Sequence, residues 1–295
     1  MEDIYISDSI IQHGESMFYE KNGVRKIIKN HNWHHILGDV GWEKLPKPWI
    51  TKLNQCKEKV RPTNSLFGVL ECGNDGDCLF HCIAYAISST HETYYASDDI
   101  RRMVAESVTE EQFRDIITCY RCMKDVDDFD ENWDPYKINT LATFRDELMK
   151  GGNNYWCDHL VLQLLMDVFH INILIISSNE LTDVYDKYPL PTLYDPSKNT
   201  VIVNHENECH FTLVGHFQDT MRTYFNDSQL PLEIKNIFNV IVTPTNIGNE
   251  QKALLKLSFC LNTAALVIAK YIIARSPENK GEIIQDNIIP DTPPI

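Results

Sequence analysis

The sequence predicts an α+β fold, a small central sheet packed between helices, with further segments at both ends. Two observations carry this expectation. Helical periodicity dominates from Cys78 to His170, and β-rich runs then follow in succession as "INILIISS", "TVIVNHE" and "CHFTLVGHF". At 295 residues, with 43% hydrophobic and 23% charged residues, the chain has the composition of an ordinary folded protein.

Taken in order, residues 1–62 mix short apolar runs with Lys, Asn and His, and end near "KEKVRPTNS". They read as an N-terminal extension packing on a main domain at 63–217. The first helix of that domain is expected from Cys78 and the second from Asp98. Ser97 is placed to cap the second helix, and Asp98 and Asp99 suit the positive end of its dipole. "EEQFRDIITCY" continues the helical region, and an acidic loop follows, "KDVDDFDENWDP" (Lys124–Pro135). Thr140–Lys150 is amphipathic and stops at Gly151-Gly152, whereas Asp158–His170 is more apolar and so more buried. The three β-rich runs then supply the strands.

Past Phe217 the pattern weakens, and residues 218–275 read as a C-terminal helical extension. Val242–Gln251 is the expected linker within it. The apolar run Ala253–Ala274 contains Lys270, Ser258, Asn262 and Thr263. A bilayer span needs roughly 20 uninterrupted apolar residues, so a buried or partner-binding helix is the favoured reading over membrane contact. Residues 276–295 contain several prolines and read as a disordered tail.

A formal net charge of −15 argues against non-specific nucleic-acid binding, which needs a basic surface. Nine scattered cysteines are an odd number without a repeating framework, and the opening "MEDIYISDSI" has no apolar signal core. Together these point to free thiols in a reducing compartment, with the cytosol as the default.

Cys78 sits after the tight turn "DGD" and ahead of the apolar run "LFHCIAYAI". A helix N-terminus carries unpaired N–H groups and partial positive charge, and both favour a thiolate. Gly76 allows a turn whose backbone N–H groups would face an oxyanion. The same features suit a buried structural thiol, so a nucleophile also requires a histidine brought close by the fold. His81 lies within the helix on another face and His91 is also near in sequence. His210 is the better candidate, because it opens a strand after the polar loop "NHENEC".

Three segments now match one pattern. "DGDCLFHCIA" (Asp75–Ala84), "YWCDHLVLQLLMDVFHINILI" (Tyr155–Ile175) and "CHFTLV" (Cys209–Val214) occur in the order of the ovarian-tumour (OTU) family of papain-like cysteine proteases, which the chain resembles over about residues 63–217. Most members are deubiquitinases. The resemblance implies that Cys78 is the nucleophile and His210 the general base and acid. The backbone of Gly76, Asp77 and Cys78 would form the oxyanion hole. Many members orient the histidine with an Asp or Asn two residues after it. That position is Thr212 here, which shifts the expected role to Asp75, with Asn207 as an alternative. Trp156, Cys157, Asp158 and Phe211 are the expected substrate contacts, although Cys157 stands where many members have Gly.

The reaction so implied is hydrolysis of an isopeptide bond at the C-terminal glycine of ubiquitin or of a ubiquitin-like modifier, with ubiquitin or polyubiquitin chains as the partner. It passes through a thioester and needs no metal or cofactor. Abundant Ile, Asn and Lys are typical of AT-rich coding, and a viral or intracellular bacterial source would make host cytosol the place of action. The alternatives are an inactive ubiquitin-binding module and a cysteine protease acting on a polypeptide such as a viral polyprotein. Among weaker signals, the Asp125–Asp134 run with Phe129 and Trp133 is a candidate contact for an arginine-rich tail. Cys119 and Cys122 have the spacing of half a zinc site without a second half, and "HNWHH" (His31–His35) reads as a surface or N-terminal packing segment.

Overall fold

The structure, a computed structural model, describes residues 3–55, 65–89, 94–127, 129, 132–188, 194–207 and 209–240. The expected linker at Val242–Gln251, the apolar run Ala253–Ala274 and the tail lie outside the described residues, as does His91. Among the described residues no helix is long and apolar enough to cross a membrane.

The three β-rich runs form adjacent strands β7 (Ile171–Asn179), β9 (Asn199–Glu206) and β10 (His210–Gln218). They lie in an eight-stranded sheet ordered β5-β6-β10-β9-β7-β8, where β5 is Trp42–Lys44, β6 Phe67–Leu70 and β8 Val184–Lys187. Two short strands complete it, β11 (Thr220–Arg222) on β10 and β12 (Tyr224–Phe225) on β9. All pairings are antiparallel except β7 with β9.

Alternation along the strands sends side chains into two different cores. Ile171, Ile173, Val201, Val203, Leu213 and Phe217 face a core shared with α3 (Cys78–Ser88) and α4 (Ser97–Ser107). To that core α5 (Glu110–Asp125), α6 (Leu141–Leu148) and α7 (His159–Val168) also contribute. Leu174, Ile176, Ile202 and Val214 face a second core built with α2 (Lys47–Gln55) and α8 (Leu232–Phe238). A sheet buried on both faces explains why these strands read as nearly continuous apolar runs.

The helices begin where their capping chemistry allows. Thr109 accepts from Gln112 N, Thr140 from Thr143 N, and Asp158 from both Leu160 N and Val161 N. The second expected helix differs by one residue, because Ser97 is its first residue and Ala96 its N-cap. Asp99 then reaches back to accept the Ala96 N–H at 3.1 Å, so a side chain inside the first turn, not one at the N-cap, meets the backbone at this helix start.

The ends are more integrated than the 62/63 and 217/218 boundaries suggest. Strands β1 (Asp3–Tyr5), β2 (Ile10–His13), β3 (Ser16–Lys21) and β4 (Val24–Ile27) form an antiparallel meander. It docks through Met17, whose N–H donates to Asp219 O at 2.9 Å. Trp33, in the short helix α1 (Trp33–Ile36), is fully buried. Its ring stacks on Phe217 with centroids 6.1 Å apart, and its Nε1 donates to Ser65 O at 3.1 Å. Strand β5, also from the N-terminal segment, pairs with β6, while Phe225, Ile234 and Phe238 from beyond 217 fill the second core. The described part of the expected helical C-terminal extension is two strands and one helix.

Trp33→Ala is expected to lower the unfolding free energy by about 3–5 kcal/mol, the usual cost of emptying a buried aromatic site. Urea denaturation of the full chain measures this. A loss below 1 kcal/mol would mean that the N-terminal segment is dispensable to the core.

Candidate active site

Helix α3 is apolar on nearly every face, with Leu79, Phe80, Cys82, Ile83, Ala86 and Ile87 all buried. It therefore runs through the interior, packed on β10, and its N-terminus meets the start of that strand. Gly76 makes the preceding turn with φ +91°, a conformation that disfavours any side chain. The first helical bond runs from His81 N to Asp77 O, so the N–H groups of Cys78, Leu79 and Phe80 have no carbonyl in the helix to reach.

Cys78 is buried at this helix end, and the Phe211 N–H donates to its Sγ at 3.4 Å. Burial pushes the thiol up; the Phe211 and Leu79 N–H groups pull it back, the Glu71 charge adds a push, and the N–H of Cys78 itself pulls down. The net direction is upward. Ionising this sulfur therefore calls for a positive charge nearby, which an imidazolium supplies.

His210 opens β10 one residue before Phe211, on the same cavity wall as Cys78. Its Nε2 lies 2.6 Å from Glu71 Oε2. With Nε2 engaged, Nδ1 is the ring nitrogen left for proton exchange. The ring does not hydrogen-bond Cys78 in this structure. Glu71 is itself steadied by the Gly73 N–H, which donates to its Oε1 at 2.9 Å.

The carboxylate on His210 is thus Glu71, where the sequence pointed to Asp75. The reason lies in the sheet register. Strand β6 pairs antiparallel with β10, Leu70 opposite Leu213, so the residue following Leu70 is delivered beside the start of β10. Asp75 is committed to its own turn instead. It accepts the Asp77 N–H at 3.2 Å and contacts His81 Nε2 at 3.2 Å. Burial works against the ionised form, but the Asp77 N–H and His81 hold its carboxyl below the usual range.

The alternatives for orienting His210 are engaged elsewhere. Asn207 sits in the β9–β10 turn with φ +49°, its Oδ1 accepting from Glu180 N. Thr212 donates to Glu206 Oε1 at 2.8 Å, in a polar group that includes Asn204 and Ser178.

The expected substrate-contact residues come together. Trp156, Cys157, Asp158 and Phe211 all line the cavity of about 590 Å³ that holds Cys78, Gly76 and His210. Trp156 is 45% exposed, too open for a core aromatic. The carboxylate of Asp158 is taken up in capping α7. Sequence reasoning missed Tyr188 and His205 on the same wall. His205 stacks on Phe211 with centroids 4.3 Å apart, and its Nδ1 lies 3.0 Å from Tyr188 Oη. Only the polar "NHENEC" loop signalled it.

The acidic-loop aromatics face inward rather than outward. Trp133 is buried, stacked on Tyr155 at 5.4 Å, and Phe129 meets it edge-on at 5.0 Å.

No protein-family pattern matches the sequence, and no curated protein does. Among solved structures the chain is similar to an ovarian tumour (OTU) domain in complex with ubiquitin, at 17% identity and a TM-score of 0.33, over 70% of this chain and 89% of that one. It is also similar to an OTU deubiquitinase from Wolbachia pipientis, at 12% identity and a TM-score of 0.34, over 60% and 98% of the two chains. A third is the Hazara virus OTU bound to ubiquitin, at 12% identity and a TM-score of 0.32, over 52% and 82%.

Proposed function

We propose that this chain is a cysteine deubiquitinase of the ovarian-tumour type. In this reading it hydrolyses the isopeptide bond at the C-terminal glycine of ubiquitin, in conjugates or chains, or of a ubiquitin-like modifier. One observation carries the reading: a thiol at an open helix end and a histidine on the adjoining strand line one cavity, and a carboxylate sits on that histidine. The motif order "DGDC", "YWCD" and "CHF" supports the choice of substrate.

In the first step His210 takes the Cys78 proton, and the thiolate attacks the glycine carbonyl carbon. A C–S bond forms, and the carbonyl electron pair moves onto oxygen, where the backbone N–H groups of Gly76 and Cys78 stabilise it, the expected Asp77 N–H being taken by Asp75 Oδ1. The oxyanion then collapses, the C–N bond breaks, and His210 gives its proton to the departing lysine amine. Water, deprotonated by His210, attacks the resulting thioester, and loss of the thiolate releases the glycine carboxylate. Glu71 keeps the imidazole in one orientation and stabilises its charged form throughout. Nine cysteines suit a reducing cytosol, that of a host if the chain is viral or from an intracellular bacterium.

Ubiquitin carrying a C-terminal electrophile is expected to form a one-to-one covalent adduct with the full chain, seen as a mass increase of one ubiquitin. Cys78→Ala should abolish it. Binding without any adduct would favour an inactive ubiquitin-binding module. Cleavage of a peptide with no action on ubiquitin chains would favour a protease of another specificity.

In steady-state hydrolysis, Glu71→Gln is expected to lower kcat by roughly 10²–10⁴-fold with little change in KM, the scale seen when the acid of a catalytic triad is neutralised. Asp75→Asn should cost less. The reverse ranking would return the orienting role to Asp75.

A further inference from the structure

The residue before the nucleophile carries a buried charge that the reaction above does not use. Asp77 is 5% exposed and Arg101, from α4, 2%. They form an ion pair through Arg101 Nη2 and Asp77 Oδ1. The guanidinium also donates to Leu148 O at 2.8 Å and Tyr155 O at 3.0 Å, and its carbon lies 4.1 Å from the Phe80 ring centre. The second carboxylate oxygen accepts the Gly152 N–H at 3.1 Å. A side chain at Gly151 would crowd that oxygen, since an added Cβ would stand 2.9 Å from it.

Asp77 is also the N-cap of α3, and an aspartate there ordinarily turns its carboxylate onto the helix's own second or third N–H. It makes no such bond here. The carboxylate is held away by Arg101 and Gly152, so the N–H groups at the helix end stay open on the side of Cys78.

We propose that Arg101 and Asp77 are positioning residues for the nucleophile: by drawing the N-cap carboxylate away, Arg101 keeps the helix-end donors free for the Cys78 thiolate and the oxyanion. The same pair fastens the nucleophile turn to the 148–155 segment, which leads into the Trp156 wall of the cavity. The inference deepens the reading of Cys78 as nucleophile and rests on it.

Without Arg101 the Asp77 carboxylate falls back onto its own helix. It then occupies a donor and sets a negative charge one residue from the sulfur, and both effects disfavour the thiolate. The other ionisable groups around Cys78 are His210 at the start of β10, Glu71 beyond β6, Cys72 and Cys82, and on the cavity wall Cys157, Asp158, Tyr188, His205 and Cys209. None of these is altered in the variants below.

The test follows iodoacetamide alkylation of the Cys78 peptide by mass spectrometry against pH in the full chain, with near-UV circular dichroism and Tm as folding controls. Arg101→Met is expected to raise the midpoint by about one pH unit, which is about tenfold slower alkylation at pH 7. Adding Asp77→Ala should bring the midpoint back, because both charges are gone and the donors reopen. A structural ion pair alone predicts a lower Tm with an unmoved midpoint, and that result in a folded Arg101→Met chain would overturn the proposal.

Arg101→Gln keeps a donor for the Leu148 and Tyr155 carbonyls and is read if the Met variant does not fold. If neither folds, the double variant decides, and a raised midpoint in it overturns the proposal. A wild-type Cys78 no more reactive than Cys122 would instead count against the nucleophile reading itself.

Discussion

The antiparallel pairing of β6 with β10 is the constraint on which the site depends. It sets Leu70 against Leu213, and from that register the residue leaving β6 arrives beside the residue opening β10. Glu71 and His210 are 139 positions apart in the chain, yet their side chains meet at 2.6 Å. A slip of one residue would turn every side chain of β6 to the opposite face. The two cores on either side of the sheet resist that slip, because Phe67 and Leu70 are buried in different ones. Hydrophobic sorting across the sheet thereby fixes the position of a polar contact at its end.

Charge in the interior follows a second rule. Buried ions persist where partners and hydrogen bonds surround them. Arg101 and Asp77 follow it at every polar atom but Arg101 Nε, sharing two backbone carbonyls, one backbone N–H and an aromatic face. Cys78 stands beside them under different terms, since burial pushes its thiol up and backbone N–H donors oppose that. A thiol set in an apolar helix start is thus governed by the few polar groups aimed at it.

Elements with strong local signals were legible from sequence. The helix at Cys78 and the strands at Ile171, Asn199 and His210 begin at or within a residue or two of where periodicity and turn chemistry put them. The N-terminal meander was not legible, because its strands are short and few of their side chains are buried, none in β4. Nor was the role of β5 and β6 in the main sheet. "WEK" and "FGVL" are strands only because a neighbour pairs with them. Trp133 misled for a related reason. Within an acidic run it looks like a surface aromatic, but Tyr120 and Tyr155, distant in sequence, supply the cluster that buries it.

What the sequence determined by itself is the identity and local setting of the candidate reacting groups. "DGDC" ahead of an apolar helix, and "CHF" opening a strand, are local patterns, and helix ends and tight turns are formed by neighbouring residues. Which carboxylate serves His210 was decided by the tertiary structure. Asp75, Asn207, Thr212 and Glu71 all have side-chain oxygens, and of these Asp75 and Glu71 are carboxylates. Hydrogen bonds to nearby residues engage the first three, and the register of two strands leaves Glu71 at the imidazole. Side-chain chemistry can be read from letters, whereas a contact between residues this far apart exists only once the sheet has closed.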